Sequence, residues 1–158
     1  TLATEAVHDG FLGEHSEYRT FFHGHSYTGN PLACAAALAS LRVFEEEDVM
    51  ARVGARIDQL AARLQVVAAH PHVGDVRRHG LMTGIEVVAD KATGRGFDST
   101  LRVGNRVIER ALEHGVLIRP LGDVVVLMPT LAISEDELDL LTGVTLECID
   151  AVTRELVG

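Results

Sequence analysis

One stretch, residues 21–41, joins a polar loop to a helix whose first turns carry no charged side chain. Asn30 is a good helix N-cap. Pro31 suits the first helical position, because its fixed φ fits a helix and its missing N–H needs no partner there. The sequence therefore predicts that a helix begins at Pro31. Residues 32–41 are almost entirely Ala, Leu and Cys, so we expect protein to cover both faces of this helix.

The loop before this helix concentrates hydrogen-bonding groups. Gly24 and Gly29 allow the backbone to bend or to approach a ligand closely. Five residues add polar side chains: His23, His25, Ser26, Tyr27 and Thr28. The free N–H groups and positive dipole end of a helix can hold an anion, most often a phosphate. Two interpretations stay open from these residues alone: a phosphate-binding loop, or an ordinary Gly-Asn-Pro helix start with hydroxyls ahead of it.

The string HGHSYTGNPLACAAALASL, residues 23–41, resembles the start of the small domain in class III pyridoxal-phosphate (PLP) aminotransferases. In that family a hydroxyl residue, an aromatic residue, any residue, Gly, Asn and Pro recur in this order. The opening His-Gly pair and the Ser-Tyr-Thr-Gly-Asn run most resemble the members that act in biotin synthesis. The string LMTGIEVVADK, residues 81–91, resembles a strand of the same members.

The composition argues against several other classes of protein. With 158 residues, of which 47% are hydrophobic, the chain can form one domain with a sizeable core. Its formal net charge is -9 and it has no block of Lys and Arg, so nucleic acid is not an expected partner. Residues 31–41 are too few to span a bilayer, and residues 1–20 lack the pattern of a signal peptide. We therefore expect a cytoplasmic protein with no membrane contact.

The cysteines and histidines do not indicate a disulfide framework or a metal site. Cys34 and Cys148 lie in apolar helical patterns and are expected to be reduced, buried thiols. His70 and His72 flank a proline and are expected to be turn residues. Four further histidines lack the His-Glu-x-x-His spacing of zinc ligands, so no metal is expected: His8, His15, His23 and His25.

The basic residues include only one lysine, Lys91. A PLP aminotransferase needs a lysine whose amine forms the Schiff base with the cofactor. Lys91 lies in Asp90-Lys91-Ala92-Thr93-Gly94, a turn composition, and is not expected to fill that role. We therefore expect the chain to be the C-terminal portion of a longer enzyme and to contain no catalytic residue. Residues 1–29 would be the tail of the large PLP-binding domain, and residues 30–158 a linking helix and the small domain.

The remaining sequence alternates helical and strand patterns. Apolar stripes with spacings of three and four predict helices over about 49–70 and 135–156, and a third helix that begins after Asp98 or Ser99 and ends before Gly115. Alternating patterns predict four short strands at residues 73–78, 81–88, 116–120 and 124–128. The predicted fold class is α+β, the small domain of a fold-type I PLP-dependent transferase, with a small antiparallel or mixed sheet covered on one side by helices.

Local signals place side chains within these elements. Leu81, Thr83, Ile85 and Val87 share one face of the second strand, whereas Glu86 lies on the other and should reach solvent or pair with an Arg. The third helix should bury Val103, Val107, Ile108, Ala111 and Leu112. Helix ends are signalled by Asp48, by Asp98 or Ser99, by Gly115, and by a capping box of Ser134 with Glu137.

Arg119 is the best single candidate for a binding residue. It follows apolar residues at the predicted end of a strand, where a buried guanidinium is costly unless an anion meets it. Its rigid fork suits a carboxylate. The alternative, in which the stem packs and the head reaches water, stays open from local sequence. The string GVLIRPLGDVVVLMP, residues 115–129, resembles the family strand whose Arg receives the substrate carboxylate.

The resemblance implies specific roles for four residues. The activity would be PLP-dependent transfer of an amino group to 8-amino-7-oxononanoate, giving 7,8-diaminononanoate, with S-adenosylmethionine or lysine as donor. Gly24 would contact the keto-acid substrate through its backbone, and Arg119 would bind its carboxylate. His25 and Ser26 would contact the PLP phosphate of the neighbouring subunit, which implies a homodimer. Ser26 replaces the usual Thr, and His25 stands where many relatives have Pro, so only a backbone role is implied for it.

Two alternatives remain open at this point. Another class III aminotransferase, acting on ω-amino acids or amines, would share the Gly-Asn-Pro helix start. A non-catalytic dimerisation fragment would account for the missing cofactor lysine.

Overall fold

The computed structural model describes residues 3–26 and 28–157. The chain divides into two units, Thr1–Arg42 and Val43–Gly158, and each is considered by itself. The expected boundary after residue 29, between a large-domain tail and a small domain, stays a prediction.

The first unit consists of short helices and loops. Helix α1 spans Glu5–Asp9, a 3-10 turn spans His15–Glu17, and α2 spans Pro31–Glu46, so the predicted helix start at Pro31 is confirmed. All described residues of this unit are exposed, α2 included. The expectation that both faces of α2 are covered is therefore wrong for the described chain, because no element of this unit packs over the helix. Cys34, expected to be buried, is exposed on α2 for the same reason.

The second unit contains three long helices and a four-stranded sheet. Its elements are α3 (Val49–Ala68), β1 (Val73–His79), β2 (Met82–Val87), α4 (Val103–Glu113), β3 (Arg119–Leu121), β4 (Val124–Leu127) and α5 (Glu135–Val157). The strand order is β1-β2-β4-β3, and every pair is antiparallel. Glycines at positive φ, Gly80 (59°) and Gly122 (60°), turn the two hairpins. The predicted α+β class is confirmed.

One face of the sheet and the three helices form a single core. The predicted inward face of β2 is confirmed, because Thr83, Ile85 and Val87 are all buried. Glu86 lies on the opposite face and pairs with Arg77 at 2.7 Å, as expected. The helices contribute a larger buried set: Val49, Val53, Leu60, Leu64, Val67, Val103, Val107, Ala111, Leu138, Val144, Cys148, Ile149 and Val152. Leu112, expected on the apolar face of α4, is 58% exposed, because it lies about 100° around the helix from the buried stripe of Val103, Val107 and Ala111.

The helix ends agree with only some of the cap signals. Ser134 and Glu137 form the predicted capping box, and Gly115 follows α4 with φ of 75°. Asp48 occupies the N-cap position of α3, but its backbone is left-handed and its side chain makes no cap hydrogen bond. Asp98 accepts from Thr100 N and caps a 3-10 turn rather than α4, which begins later, at Val103.

Candidate functional site

The polar loop forms a turn ahead of α2. The backbone N–H of Thr28 donates to the carbonyl of His25 (3.0 Å), and His25 N donates to the Thr28 hydroxyl (3.3 Å). Gly29 follows with φ of 70°, a conformation that glycine adopts without strain. Ser26 lies inside this turn. Tyr27, one of the predicted polar residues, lies outside the described residues.

The first turn of α2 uses its own N–H groups. The Asn30 side chain accepts hydrogen bonds from Leu32 N (3.0 Å) and Ala33 N (3.1 Å), which confirms it as the N-cap. Cys34 N donates to the Asn30 carbonyl, and Pro31 has no N–H. The expectation that this terminus directs free N–H groups at the loop is therefore wrong, because the Asn30 cap already binds them. An anion here would depend on the loop's own donors.

The chemistry of the loop suits a phosphate. Residues 3–26 and 28–157 provide no hydrogen-bond partner for the Ser26 hydroxyl, and nothing lies within 4 Å of the position that a Cβ at Gly24 would take. Residues 18–44 contain no Asp or Glu, although the chain has 23 acidic residues. The Ser26 hydroxyl and the accessible backbone at Gly24 can donate hydrogen bonds to an anion. The neighbouring sequence has no carboxylate that would repel the anion. The lack of acidic residues over 18–44 is a sequence signal for an anion site that the Gly-Asn-Pro motif does not provide by itself.

Arg119 begins β3 rather than ending a longer strand. Residues 116–118 were expected to be part of this strand, but β3 is confined to Arg119–Leu121 and pairs only with β4, where Arg119 lies opposite Val126. Val116 and Ile118 are buried, whereas Leu117 is 82% exposed. Arg119 itself is exposed, so the interpretation in which the head reaches water describes this chain. Its side chain lies on the sheet face that is opposite to the core.

Arg119 borders an apolar groove that extends from the sheet to α5. The groove has a volume of about 540 Å³. Apart from Arg119 it is lined by apolar residues: Met82, Leu117, Ile118, Leu121, Val126, Met128, Pro129 and Leu141. These come from β2, from the β3–β4 hairpin and the residues on either side of it, and from α5, so no local sequence pattern could have grouped them. A cation at the edge of an apolar groove suits a ligand with an aliphatic chain and an anionic end.

The charge of Arg119 is not neutralised within the described part of the chain. Residues 3–26 and 28–157 provide its side chain with no hydrogen bond or ion pair. Arg77 is a useful comparison, because it lies in the same row of the sheet: Arg77 faces Gly84, Gly84 faces Val126, and Val126 faces Arg119. Arg77 pairs with Asp75 (2.8 Å) and Glu86 (2.7 Å). Of these two guanidinium groups, only that of Arg119 is available to an external anion.

Lys91 has a structural contact. Its ammonium donates to the carbonyls of Ala68 (2.5 Å) and His70 (3.2 Å), at the C-terminal end of α3, where a cation is favoured. Asp90 organises the turn by accepting from Ala92 N and the Thr93 hydroxyl.

The turn after α3 contains two histidines with structural roles. His70 is mostly buried, with Nε2 lying 3.5 Å from Asp150 Oδ1 on α5, and the ring of His72 contacts the carbonyl of Val88 at 3.1 Å. Burial lowers the pKa of His70 below its usual 6.5, and the hydrogen bond to Asp150 opposes this shift. No three His, Cys, Asp or Glu residues in the described ranges are grouped so as to hold a metal ion. Nor does any described helix combine the length and apolarity needed to cross a membrane.

Comparison with known proteins identifies the class of this chain. The profile of the family described as "Aminotransferase class-III" matches residues 1–149. The chain belongs to this family.

Individual members of the family show which aminotransferases this chain resembles. The chain is 56% identical over 154 residues to the adenosylmethionine-8-amino-7-oxononanoate aminotransferase of Nitratidesulfovibrio vulgaris, covering 98% of this chain and 28% of that protein. The crystal structure of the enzyme of the same name from Methanocaldococcus jannaschii matches with a TM-score of 0.87 and 41% identity, covering 94% of this chain and 34% of that one. A PMP-bound aminotransferase from Vibrio fluvialis matches with a TM-score of 0.84 and 31% identity, covering 90% and 31%. The chain thus spans about a third of the length of its relatives.

The predicted site residues fall in separate parts of the chain. Gly24, His25 and Ser26 lie in one loop of the first unit, and Arg119 lies in the second unit.

Proposed function

We propose that this chain is the C-terminal part of a PLP-dependent enzyme that transfers an amino group to 8-amino-7-oxononanoate, giving 7,8-diaminononanoate in biotin synthesis. The family match and the names of the relatives from Nitratidesulfovibrio vulgaris and Methanocaldococcus jannaschii support this activity. The observation that carries the proposal within this chain is the unneutralised Arg119 at the edge of an apolar groove.

Arg119 would bind the carboxylate of 8-amino-7-oxononanoate. This substrate has a carboxylate at one end of an aliphatic chain, which matches a guanidinium beside apolar side chains such as Met82 and Val126. A planar guanidinium binds a carboxylate through two parallel hydrogen bonds and so fixes its orientation. Gly24 would contact the substrate through its backbone, which its missing side chain leaves accessible.

His25 and Ser26 would hold the phosphate of PLP in the neighbouring subunit. The Ser26 hydroxyl would be one donor, and His25 would contribute through its backbone N–H, which would exchange its hydrogen bond to the Thr28 hydroxyl for one to the phosphate. When bound, the cofactor supplies the electron sink for amino transfer. The chain's own contribution is to fix the phosphate and the substrate carboxylate.

A homodimer follows from this assignment, because the loop of one subunit would complete the cofactor site of the other. The first unit supports it: Phe22 and Leu32, on either side of the loop, are each 82% exposed, and residues 31–41 of α2 carry no charged side chain on any face. Such helices are normally buried, so a second surface is needed to cover this one.

The Schiff-base lysine would lie outside these 158 residues. Lys91 is the only lysine of the chain, and its amine binds carbonyls at the end of α3. The chain alone is therefore proposed to be inactive, and the enzyme to be a cytoplasmic homodimer.

The test is Arg119→Ala in the full-length holoenzyme. Loss of a charged hydrogen bond of about 1.5–3 kcal/mol should lower kcat/KM for 8-amino-7-oxononanoate by about 10- to 150-fold, with PLP content unchanged. Assays would use S-adenosylmethionine and lysine as donors. Arg77→Ala is the matched control, since it removes a guanidinium from the same row of the sheet and should leave kcat/KM within about twofold. An Arg119→Ala enzyme as active as its parent would refute the carboxylate role.

A second candidate is an aminotransferase for ω-amino acids or amines. The similarity to the Vibrio fluvialis aminotransferase favours it. An amine that lacks a carboxylate cannot use Arg119, so an enzyme that prefers such amines and is insensitive to Arg119→Ala would support this candidate.

A non-catalytic dimerisation fragment is a further alternative, to be tested with the 158-residue chain alone. Absorbance of stoichiometrically bound PLP by that chain would contradict our proposal that the cofactor lysine lies elsewhere.

A further inference from the structure

Helix α4 receives its N-terminal cap from a distant hairpin. Its own N-cap residue, Arg102, has a left-handed backbone (φ 49°) and supplies no side-chain acceptor. The N–H of Gly104, in the first turn, instead donates to Asp123 Oδ1 at 3.0 Å in a partly buried position. Asp123 lies in the turn between β3 and β4, 19 residues after Gly104.

Asp123 also binds the central part of the sheet. Its carbonyl accepts a hydrogen bond from Val87 N, at the end of β2, at 2.9 Å. One residue therefore joins the hairpin turn both to α4 and to β2. We refer to these two hydrogen bonds, from Gly104 N and from Val87 N, as the Asp123 clamp.

The hairpin turn and the first turn of α4 pack closely against each other next to the clamp. A Cβ at Gly104 would lie 2.1 Å from the carbonyl oxygen of Gly122 and 3.2 Å from Asp123 Cα. The hairpin turn therefore lies directly on the first turn of α4, which only glycine permits at this position. Loss of the clamp would allow the turn to move away from the helix.

The strand that carries Arg119 depends on this hairpin. It is an edge strand of three residues and pairs only with β4. Arg119 lies three residues before Gly122. Because β3 is short and is hydrogen-bonded to a neighbouring strand on one side only, a displacement of the turn would also displace Arg119. Catalytic and binding groups must keep their geometry closely, and errors of about 1 Å can cost about 100-fold in rate.

We propose that Asp123 is a positioning residue for Arg119: its clamp holds the β3–β4 hairpin against α4 and thereby sets the guanidinium at the edge of the groove. The proposal rests on the proposed function, in which Arg119 binds the substrate carboxylate. Asp123 itself does not contact the substrate.

The test compares Asp123→Ala and Asp123→Asn in the full-length holoenzyme. Asp123→Ala removes the side-chain half of the clamp and should raise KM for 8-amino-7-oxononanoate by at least about fivefold, because a binding group displaced by about 1 Å can lose about 100-fold. KM for the amino donor and the PLP content should stay within about twofold. Asp123→Asn keeps a carbonyl acceptor for Gly104 N and should restore a KM close to that of the parent.

Ser134→Ala is the control for a loss of stability alone. It removes the capping box of α5, which binds no part of the hairpin, and should cost stability comparably without changing KM. If Asp123→Ala does not accumulate as holoenzyme, Asp123→Ser, whose side chain is too short to reach Gly104 N at the same distance, is judged by the same criteria.

A double-mutant cycle separates this inference from the proposed function. If Asp123 acts through Arg119, Asp123→Ala has no further effect on KM in the Arg119→Ala enzyme. If Arg119→Ala raises KM but Asp123→Ala does not, or if Asp123→Ala has its full effect without Arg119, positioning is refuted and the carboxylate role stands. If Arg119→Ala has no effect, both proposals fail.

Discussion

Most substitutions in a protein core destabilise the fold, but we expect a substitution of Thr83 to stabilise it. Thr83 is 1% exposed, on the inward face of β2, and its hydroxyl is the buried side-chain polar atom that lacks a hydrogen-bond partner among the described residues. Its neighbours on this face are Leu81 and Ile85, and Leu127 lies opposite on β4. We expect Thr83→Val to stabilise the fold.

The magnitude follows from the group that is replaced. An unpaired buried polar group costs about 1–3 kcal/mol, whereas a methyl of nearly the same size gains from burial. Valine also suits a strand at least as well as threonine. We therefore expect the free energy of unfolding to rise by about 1 kcal/mol, which corresponds to an increase in Tm of about 2–4 °C for a chain of this length.

The chain contains a matched control for this substitution. Thr153 on α5 is also 1% exposed, but its hydroxyl donates to the Ile149 carbonyl at 2.7 Å. Thr153→Val should therefore lower the free energy of unfolding by about 0.5–1.5 kcal/mol. Urea unfolding of the 158-residue chain, followed by far-UV circular dichroism, measures both variants. If Thr83→Val destabilises as much as Thr153→Val, the Thr83 hydroxyl is paired in solution and the reasoning is refuted.

Two further predictions concern pH and packing. Because the fold holds the pKa of His70 below 6.5, the unfolded chain binds this proton more readily, so stability is complete above pH 6.5 and falls as the pH drops below it. His70→Gln, which can still face Asp150, should flatten this slope in urea unfolding measured from pH 7.5 to 5, and an unchanged slope would contradict the assignment. Gly104→Ala should destabilise by at least about 1–3 kcal/mol, because the new Cβ meets the Gly122 carbonyl. Gly143→Ala, at an open position of α5, should instead stabilise by up to about 1 kcal/mol, and equal effects of the two glycine variants would count against the close approach.

The periodic features of the fold were predictable from sequence. Stripes at spacings of three and four placed α3 and α5, and alternation placed the inward face of β2, because burial selects apolar residues at the period of each element. The cap of α4 was not predictable. Asp98 is a residue type that often caps helices and lies shortly before α4, but the oxygen that accepts from Gly104 N belongs to Asp123, which tertiary packing brings close. Local signals cannot reveal a partner that the fold brings in from 19 residues away.

The candidate site was predictable only as individual residues. Arg119 stood out as a cation beside an apolar run, and Asn30 with Pro31 predicted where α2 begins. The groove beside Arg119 could not be predicted, because Met82 and Leu141 reach it from distant parts of the chain. The burial of α2 was predicted wrongly from the same apolar composition that placed the helix, since composition shows that a surface needs covering but not what covers it.

The exposure of the groove bears on why Arg119 should need an anion. Leu117 is 82% exposed and Met128 is 73% exposed, so large apolar side chains of the groove are in contact with water. Exposed apolar patches of this kind usually mark a surface that another part of a protein or a ligand covers. If the rest of the proposed enzyme covers the groove, Arg119 loses water, and a desolvated guanidinium without a partner is strongly unfavourable. Arg77, in the same row, already has two carboxylates, whereas the described residues provide none for Arg119. The balancing charge must then come from the covering surface or from the ligand. Carboxylate binding that persists in the full-length enzyme at high salt would indicate such a desolvated contact, because screening weakens exposed pairs much more than buried ones.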